Sequence, residues 1–210
     1  EAEQYFRKQM ELLTSAGFDA LGIGSMEEPG FLREAGIELP MYFDQGMYSW
    51  NHLAGAAMER YGADRLTIPV ELNEREIRDS GVQGEMIVYG YLPMMISAQC
   101  IRKTTLGCSG KSEIMWLKDR KDMRFPVVNQ CRFCYNTIYN SAPLSLLGLS
   151  EQVTGLKPNA VRLNFTVEEP AAAGEILDAF FEEYGMSEKA AEPPVLRNQF
   201  TRGHFKRGVE

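Results

Sequence analysis

The sequence predicts an α/β protein: a partial TIM-like (β/α) barrel with an inserted four-cysteine module. Short apolar segments typical of strands alternate with helical segments, and the strands begin near residues 19, 39, 65 and 85. This alternation is typical of βα units with parallel strands. All four cysteines lie between residues 100 and 134, so that segment differs in kind from the units that precede it.

The first 91 residues are predicted to form four βα units. Apolar residues at helical spacing, glycines after helical segments and short apolar runs place the boundaries. Ser49 is the predicted N-cap of the third helix. The predicted helices are 1–16, 26–35, 49–61 and 73–79, and the predicted strands are 19–24, 39–43, 65–70 and 85–91.

The second half supplies too few further units to close an eight-stranded barrel. A strand is predicted at 160–167 and a helix at 172–184, and a turn with a short helix is expected at 138–149. We therefore expect the missing strands to lie upstream of Glu1 in a longer polypeptide. The predicted domains are the barrel units (1–92), the metal module (93–145), a closing βα unit (146–187), and a linker with a poorly ordered basic tail (188–210).

Composition is typical of a globular protein, with 44% hydrophobic and 24% charged residues. No apolar run approaches the roughly 20 residues that span a bilayer, and no signal peptide opens the chain. We therefore expect a cytoplasmic protein with no membrane partner. A net charge of −7 argues against a general affinity for nucleic acid, although a local basic site remains possible.

The cysteine spacing predicts one metal site. Seven residues separate Cys100 from Cys108, twenty-two separate Cys108 from Cys131, and Cys131 and Cys134 form a CxxC pair. Zinc and 4Fe–4S clusters both accept four thiolates, and the spacing matches neither a zinc ribbon nor a ferredoxin. Structural thiols and disulfides are the alternatives, and disulfides would be unusual in a cytoplasmic protein.

The cysteine segment is also basic. Between residues 101 and 132 lie eight basic and three acidic side chains. This segment therefore has a net positive charge, although the whole chain is acidic. Nearby cations lower thiol pKa values and stabilise a thiolate-bound cluster. Arg102 and Arg132, which lie close to Cys100 and Cys131 in sequence, are the predicted cofactor-binding residues. The same positive charge could bind the phosphates of RNA.

Catalytic side chains of parallel barrels lie at the carboxyl ends of the strands. This rule selects Asp44 and Glu71 as the predicted catalytic residues. Tyr89, Gly90 and Tyr91 end a strand, Arg162 lies within one, and Glu168 and Glu169 follow it. Glu85 begins its strand, where we expect it to pair with an arginine.

Several enzyme classes have little support in the sequence. There is no GxGxxG and no P-loop, so nothing indicates a nucleotide at a first βα turn. HExxH and GxSxG are also absent, and the chain has only two histidines, His52 and His204. A histidine-based peptidase therefore has few candidate residues.

From Glu85 onward the sequence resembles the collagenase-like peptidases of family U32. The signature has the form E-x-F-x-x-G-[SA]-[LIVM]-C-x-x-x-x-G-x-C. The matching residues are Glu85, Gly90, Leu92 and Cys100, with Ile87 in the aromatic place. The departures are Tyr91 for the small residue, Pro93 for the first cysteine and Ala98 for the glycine. Further similar segments, between about residues 40 and 210, are 61–72, 74–77, 125–129, 138–141 and 201–208.

The resemblance implies a TIM-like barrel and four cysteines that hold a 4Fe–4S cluster. It also implies oxygen-independent hydroxylation of an RNA base or of the ubiquinone ring, with prephenate as a possible oxygen donor. Cys134 could replace the signature cysteine that is missing at Pro93. The expected function is hydroxylation of a tRNA or rRNA base. The alternatives are a collagenase-like protease and a non-catalytic module with structural zinc.

Overall fold

A computed structural model describes residues 2–185 and 199–208. The helices are α1 (Ala2–Ala16), α2 (Glu28–Glu34), α3 (His52–Tyr61), α4 (Glu74–Ser80), α5 (Ile101–Thr105), α6 (Ser150–Gly155) and α7 (Pro170–Glu183). The strands are β1 (Leu21–Ile23), β2 (Met41–Phe43), β3 (Arg65–Leu66), β4 (Glu85–Gly90), β5 (Pro93–Ser97), β6 (Ile114–Lys118), β7 (Arg124–Gln130), β8 (Tyr135–Tyr139), β9 (Leu144–Ser145) and β10 (Ala160–Asn164).

The described chain divides into two compact units. The first is built from Glu1–Ile87, Glu151–Arg162 and Gly203–Glu210, as far as these are described, and the second from Val88–Ser150 and Leu163–Arg202. The strands form three sheets, of order β1-β2-β3, β10-β4-β9 and β5-β8-β7-β6. The predicted mixed α/β class is confirmed. The described strands do not form a closed barrel.

The first unit contains the parallel βα units that the sequence predicts. β1 pairs with β2 and β2 pairs with β3, both in parallel. A parallel bridge between Thr67 and Glu85 continues this arrangement to the start of β4. The core beneath these strands is apolar and consists of Ile23, Leu32, Ile37, Phe43, Met47, Leu66 and Val82.

The predicted cap of α3 is wrong. The Asn51 side chain, not that of Ser49, accepts hydrogen bonds from the backbone N–H groups of Leu53 and Ala54 at 3.0 Å. Ser49 is instead buried, and its hydroxyl donates to the Thr67 carbonyl at 3.3 Å. An asparagine in extended conformation can reach both free N–H groups of the first turn, so it determines where the helix begins.

The second unit contains a four-stranded antiparallel sheet that the sequence did not predict. β7 is central and pairs with β6 on one side and β8 on the other, and β8 pairs with β5. The helix expected at 138–149 is wrong, because Ile138 and Tyr139 end β8 and Leu144–Ser145 is β9. The β-branched and aromatic residues of this stretch, such as Thr137, Ile138 and Tyr139, favour strands.

Backbone hydrogen bonds hold the described part of the C-terminal segment in place. In the second unit, Thr201 exchanges backbone hydrogen bonds with Pro143 and Ser145, both at 2.9 Å. In the first unit, Phe205 is buried and its carbonyl accepts from the Glu74 N–H at 2.9 Å. The prediction of a poorly ordered tail is therefore wrong for residues 199–208. The predicted linker at 188–194 lies outside the described residues.

None of the described helices combines the length and apolar character that a membrane crossing requires.

Gly84 tests the packing of the first unit. A Cβ atom at this position would lie 2.5 Å from the Leu66 carbonyl oxygen, and that oxygen belongs to backbone that cannot swing aside. We expect Gly84→Ala to lower the free energy of unfolding by about 1–3 kcal/mol, the usual cost of overpacking, measured by urea denaturation. Gly30→Ala is the matched control, because a Cβ there meets nothing within 4 Å and alanine favours the helix. Equal stabilities of the two variants would contradict the packing shown here.

Candidate functional site

The second unit brings the four cysteines into one region. Cys100 is the N-cap of α5, and its sulfur accepts from the Lys103 N–H at 3.5 Å. Cys108 lies in the loop after α5, and Cys131 and Cys134 lie in the turn between β7 and β8. Cys134 adopts a left-handed conformation, with φ of 54°. None of the four forms a disulfide.

Cys131 is the centre of this group. Desolvation raises the pKa of its thiol, and the charges of Cys108, Cys100, Cys134 and Glu113 raise it further. The other three sulfur atoms therefore lie within electrostatic reach of Cys131. This thiol donates to the Lys111 carbonyl at 2.9 Å, and the Asn129 side-chain amide donates to its sulfur at 3.4 Å.

The sulfur atoms are neighbours but do not make a formed ligand set. Within the described ranges, no three side chains of histidine, cysteine, aspartate or glutamate are placed to hold a metal ion. To act as a ligand, Cys131 would have to give up its hydrogen bond to Lys111 and lose its proton.

The predicted effect of the basic residues on the thiols is wrong for Cys131, whose pKa is raised rather than lowered. Arg102 explains part of the difference, because its Nε lies 2.6 Å from a carboxylate oxygen of Glu113. Glu113 thus offsets one of the two predicted cofactor-binding cations. Arg132, the other one, is exposed in the turn between Cys131 and Cys134.

In the first unit, Asp44 belongs to an ion-pair network. Arg162 places one nitrogen 2.5 Å from Asp44 and another 3.2 Å from Glu85. The Glu85 side chain is only 16% exposed, and that of Arg162 is 28% exposed. The expected pairing of Glu85 with an arginine is confirmed. Asp44 also accepts from the Gln45 N–H at 2.8 Å and so caps the short 3₁₀ turn Gln45–Met47.

Glu71, the second predicted catalytic residue, stands apart from that network. It is half-buried, and its Oε2 atom is buried with no hydrogen-bond partner in the described part of the chain. A buried carboxylate oxygen without a partner is costly, so such a group is available to a substrate donor or a bound water.

In the second unit, tyrosines gather around Glu168. Burial raises the pKa of Tyr89, and the Glu168 charge, the neighbouring Tyr91 and a hydrogen bond with Glu168 raise it further. The pKa of Tyr139 is also raised, by burial, by Tyr135 and by Glu168. One oxygen of Glu168 accepts from the Thr166 N–H at 2.6 Å and the Val167 N–H at 3.0 Å. These phenols stay protonated and can donate hydrogen bonds.

The sequence had selected Tyr89, Tyr91 and Glu168, but it offered no sign that Tyr139 and Phe165 join them. The Tyr89 and Phe165 rings lie 5.7 Å apart. The adjacent backbones are also close, because a Cβ at Gly90 would lie 2.5 Å from the Asn164 carbonyl oxygen. Only the alternation of side chains along β8 could have suggested Tyr139.

Comparison with known proteins gives the class of protein. A model of peptidase family U32 matches residues 1–176, which is most of the chain. The chain therefore belongs to peptidase family U32. The match begins upstream of residue 40, where the resemblance was expected to start, and does not reach the C-terminal segment. No curated protein and no solved structure matches the chain significantly.

Arg162 should be required for the stability of the first unit. Arg162→Met would leave Asp44 and Glu85 as neighbouring carboxylates without their shared cation. Since the network is only partly buried, we expect a loss of about 1–3 kcal/mol in the free energy of unfolding, measured by urea denaturation. Arg75→Met is the control, because Arg75 and Asp79 form an exposed pair whose loss should cost at most about 0.5 kcal/mol. A small loss of stability of similar size in both variants would show that the network of Asp44, Arg162 and Glu85 contributes no more than an exposed ion pair.

Tyr89 should contribute stability to the fold that is lost at alkaline pH. Its pKa is raised in the folded state, so the folded protein keeps a proton that the unfolded chain releases near pH 10. The resulting stability is complete below about pH 10 and is lost as the pH rises further. Tyr89→Phe should make this decline shallower, measured as the free energy of unfolding over a series of pH values. Tyr48→Phe, which alters an exposed phenol, should leave the decline unchanged.

Proposed function

We propose that this U32 protein is an iron–sulfur enzyme that hydroxylates an RNA base without molecular oxygen. The observation that carries the proposal is that the charges of the other three thiols reach Cys131 and raise its pKa, after desolvation. Family membership supports it, because the resemblance to iron–sulfur members implies the same four-cysteine cofactor. Prephenate is the proposed oxygen donor on the same ground.

The donor chemistry fits a 4Fe–4S cluster. Cys100, Cys108, Cys131 and Cys134 would hold it, since clusters of this type take four thiolates. Desolvation, and after it the charges of the neighbouring thiols, raise the pKa of Cys131, and a cationic metal centre would oppose these effects. When bound, such a cluster supplies one-electron transfer. The Asn129 amide, which donates to the Cys131 sulfur, would tune the reduction potential of the cluster.

Each unit, taken by itself, also offers polar groups that could act on a substrate. Glu71 is the proposed acid–base group, because one of its buried oxygens has no partner among the described residues. Asp44 is held by Arg162 and by its capping bond, so we assign it a positioning role. The protonated Tyr89 phenol would serve as a hydrogen-bond donor.

Zinc is the second candidate for the same four thiols, because the Cys₄ donor set suits either metal. Proteolysis has less support. The His204 ring nitrogen Nδ1 lies 2.8 Å from the Gly208 carbonyl, and His52 is exposed at the start of α3. Within the ranges that the structure describes, neither imidazole forms a hydrogen bond with a side chain that could act as its nucleophile.

Anaerobic purification tests the cofactor. We expect a brown protein with about four iron and four sulfide ions per chain, measured by elemental analysis and absorption spectroscopy. Cys100→Ser should lose most of the iron and colour. Ser109→Ala, which changes the neighbour of Cys108 and keeps all four thiols, should retain them. A colourless protein with one zinc ion per chain would rule out the cluster.

The reaction has a separate readout. RNA incubated with the brown protein, a reductant and prephenate under anaerobic conditions should contain a nucleoside with one additional oxygen atom, detected by mass spectrometry. The Cys100→Ser protein should produce none. Degradation of denatured collagen that persists in Cys100→Ser and disappears in Glu71→Gln would instead establish proteolysis.

A further inference from the structure

The exposed face of β6 is the surface of the second unit that neither the fold nor the cofactor explains. β6 is an edge strand of the four-stranded sheet. Its side chains alternate between exposed and half-buried, and Ile114, Trp116 and Lys118 form the exposed set. Trp116 is 56% exposed, although a tryptophan side chain gains much from burial.

Strand register extends this surface to β7. Lys118 pairs with Arg124, and Trp116 pairs with Pro126. Paired residues in an antiparallel sheet point to the same face, so Arg124 lies on the face of Trp116. Pro126 is buried and Arg124 is exposed. The open surface is therefore a narrow strip along β6 that ends at the β6–β7 hairpin; we call it the β6 strip.

The hairpin end of the β6 strip carries uncompensated positive charge. Asp122 pairs with Lys118 at 2.7 Å. The Asp119 carboxylate is occupied by the backbone N–H groups of Lys121 and Met123, at 2.7 and 2.9 Å. The remaining cations of the hairpin have no carboxylate partner in the part of the chain that the structure describes: Arg120, Lys121 and Arg124.

These features together fit one class of partner. An exposed tryptophan offers a stacking platform for an unpaired base, and neighbouring cations neutralise phosphates. A double helix would hide its bases from Trp116. An acidic peptide would use the cations but not the indole face. In a second copy of this chain, the same cations would oppose association by repulsion.

We propose that the β6 strip binds single-stranded RNA, with a base stacked on Trp116 and phosphates bound by Arg120, Lys121 and Arg124. This inference rests on the proposed function for the choice of RNA as the polyanion. The strip also leads toward the cysteines within the same unit. The residues just before β6, Lys111–Glu113, adjoin the end of the strip that lies away from the hairpin. There the Ser112 hydroxyl accepts from the Cys131 N–H at 3.3 Å. Ser112 lies six positions before Lys118, which corresponds to about 20 Å of extended chain.

The chain has two tryptophans, and this allows a direct test. In Trp50→Phe, the indole fluorescence reports Trp116 alone. We expect a saturable decrease in this fluorescence when a uridine oligomer, which is single-stranded, is added at low salt. Trp116→Phe keeps only Trp50, an exposed tryptophan of the other unit, and its fluorescence should not change.

Affinity measurements separate stacking from charge. Trp116→Ala should weaken binding of the uridine oligomer by about 5- to 150-fold, the range for one lost base stack. Arg120→Gln, Lys121→Gln and Arg124→Gln should each reduce the slope of log affinity against log salt by about 0.7. Arg75→Gln removes an exposed charge from α4 in the other unit and should leave the slope unchanged. The charge variants alter exposed side chains, so the test does not depend on the folding of Trp116→Ala.

Three results would overturn the proposal. The first is no fluorescence change in a folded Trp50→Phe protein, and the second is an equal response to polyglutamate. The third is a fluorescence change that follows protein concentration without RNA, which would indicate association with a second copy. The same titration with Cys100→Ser separates this proposal from the proposed function. RNA binding by Cys100→Ser would show that the β6 strip acts without the cluster. RNA binding by a wild-type protein that holds no iron would support the strip and contradict the hydroxylase, and a brown wild-type protein that binds no RNA would do the reverse.

Discussion

Repulsion among the cysteine sulfurs is the constraint on which the functional interpretation depends. Several thiolates cannot be charged together in one small region without a compensating cation. Protonation of Cys131 meets this constraint in part, because desolvation, and after it the charges of the other three cysteines and of Glu113, raise the pKa of its thiol. A metal centre would meet it by coordination. The arrangement is therefore suited to release protons when metal binds, and its affinity for metal should depend on pH.

The antiparallel sheet of the second unit positions these sulfurs. The β7–β8 turn carries Cys131 and Cys134, and the Lys111 carbonyl just before β6 holds the Cys131 thiol. Asn129 reinforces this contact, since its side chain bonds both the Lys111 carbonyl and the Cys131 sulfur. Asn129 is almost fully buried in β7. A buried polar side chain with several partners fixes the register of its surroundings, so it makes the geometry of the turn specific.

Local signals in the sequence predicted the first unit better than the second. Glycine stops and apolar spacing placed α1 to α4 within a few residues, and the strand-start position of Glu85 correctly indicated an arginine partner. The four-stranded sheet was missed although β6–β7 and β7–β8 pair locally, because its fourth strand, β5, pairs with β8 across the whole cysteine segment. Asp44 shows a second limit. A carboxylate at a strand end can be catalytic, but only the folded chain revealed its bonds to Arg162 and Gln45.

The cations of the cysteine segment lie in two different electrostatic environments. Near the sulfurs, Glu113 pairs with Arg102 and also contributes to the raised pKa of Cys131, so this cation is shared with a carboxylate. At the β6–β7 hairpin, the acidic side chains are used by the turn and by Lys118, so positive charge remains available at the surface. Charge counted along the sequence could not distinguish these cases. A cation beside a carboxylate supports structure, whereas an exposed cation without one can bind an external anion at little desolvation cost.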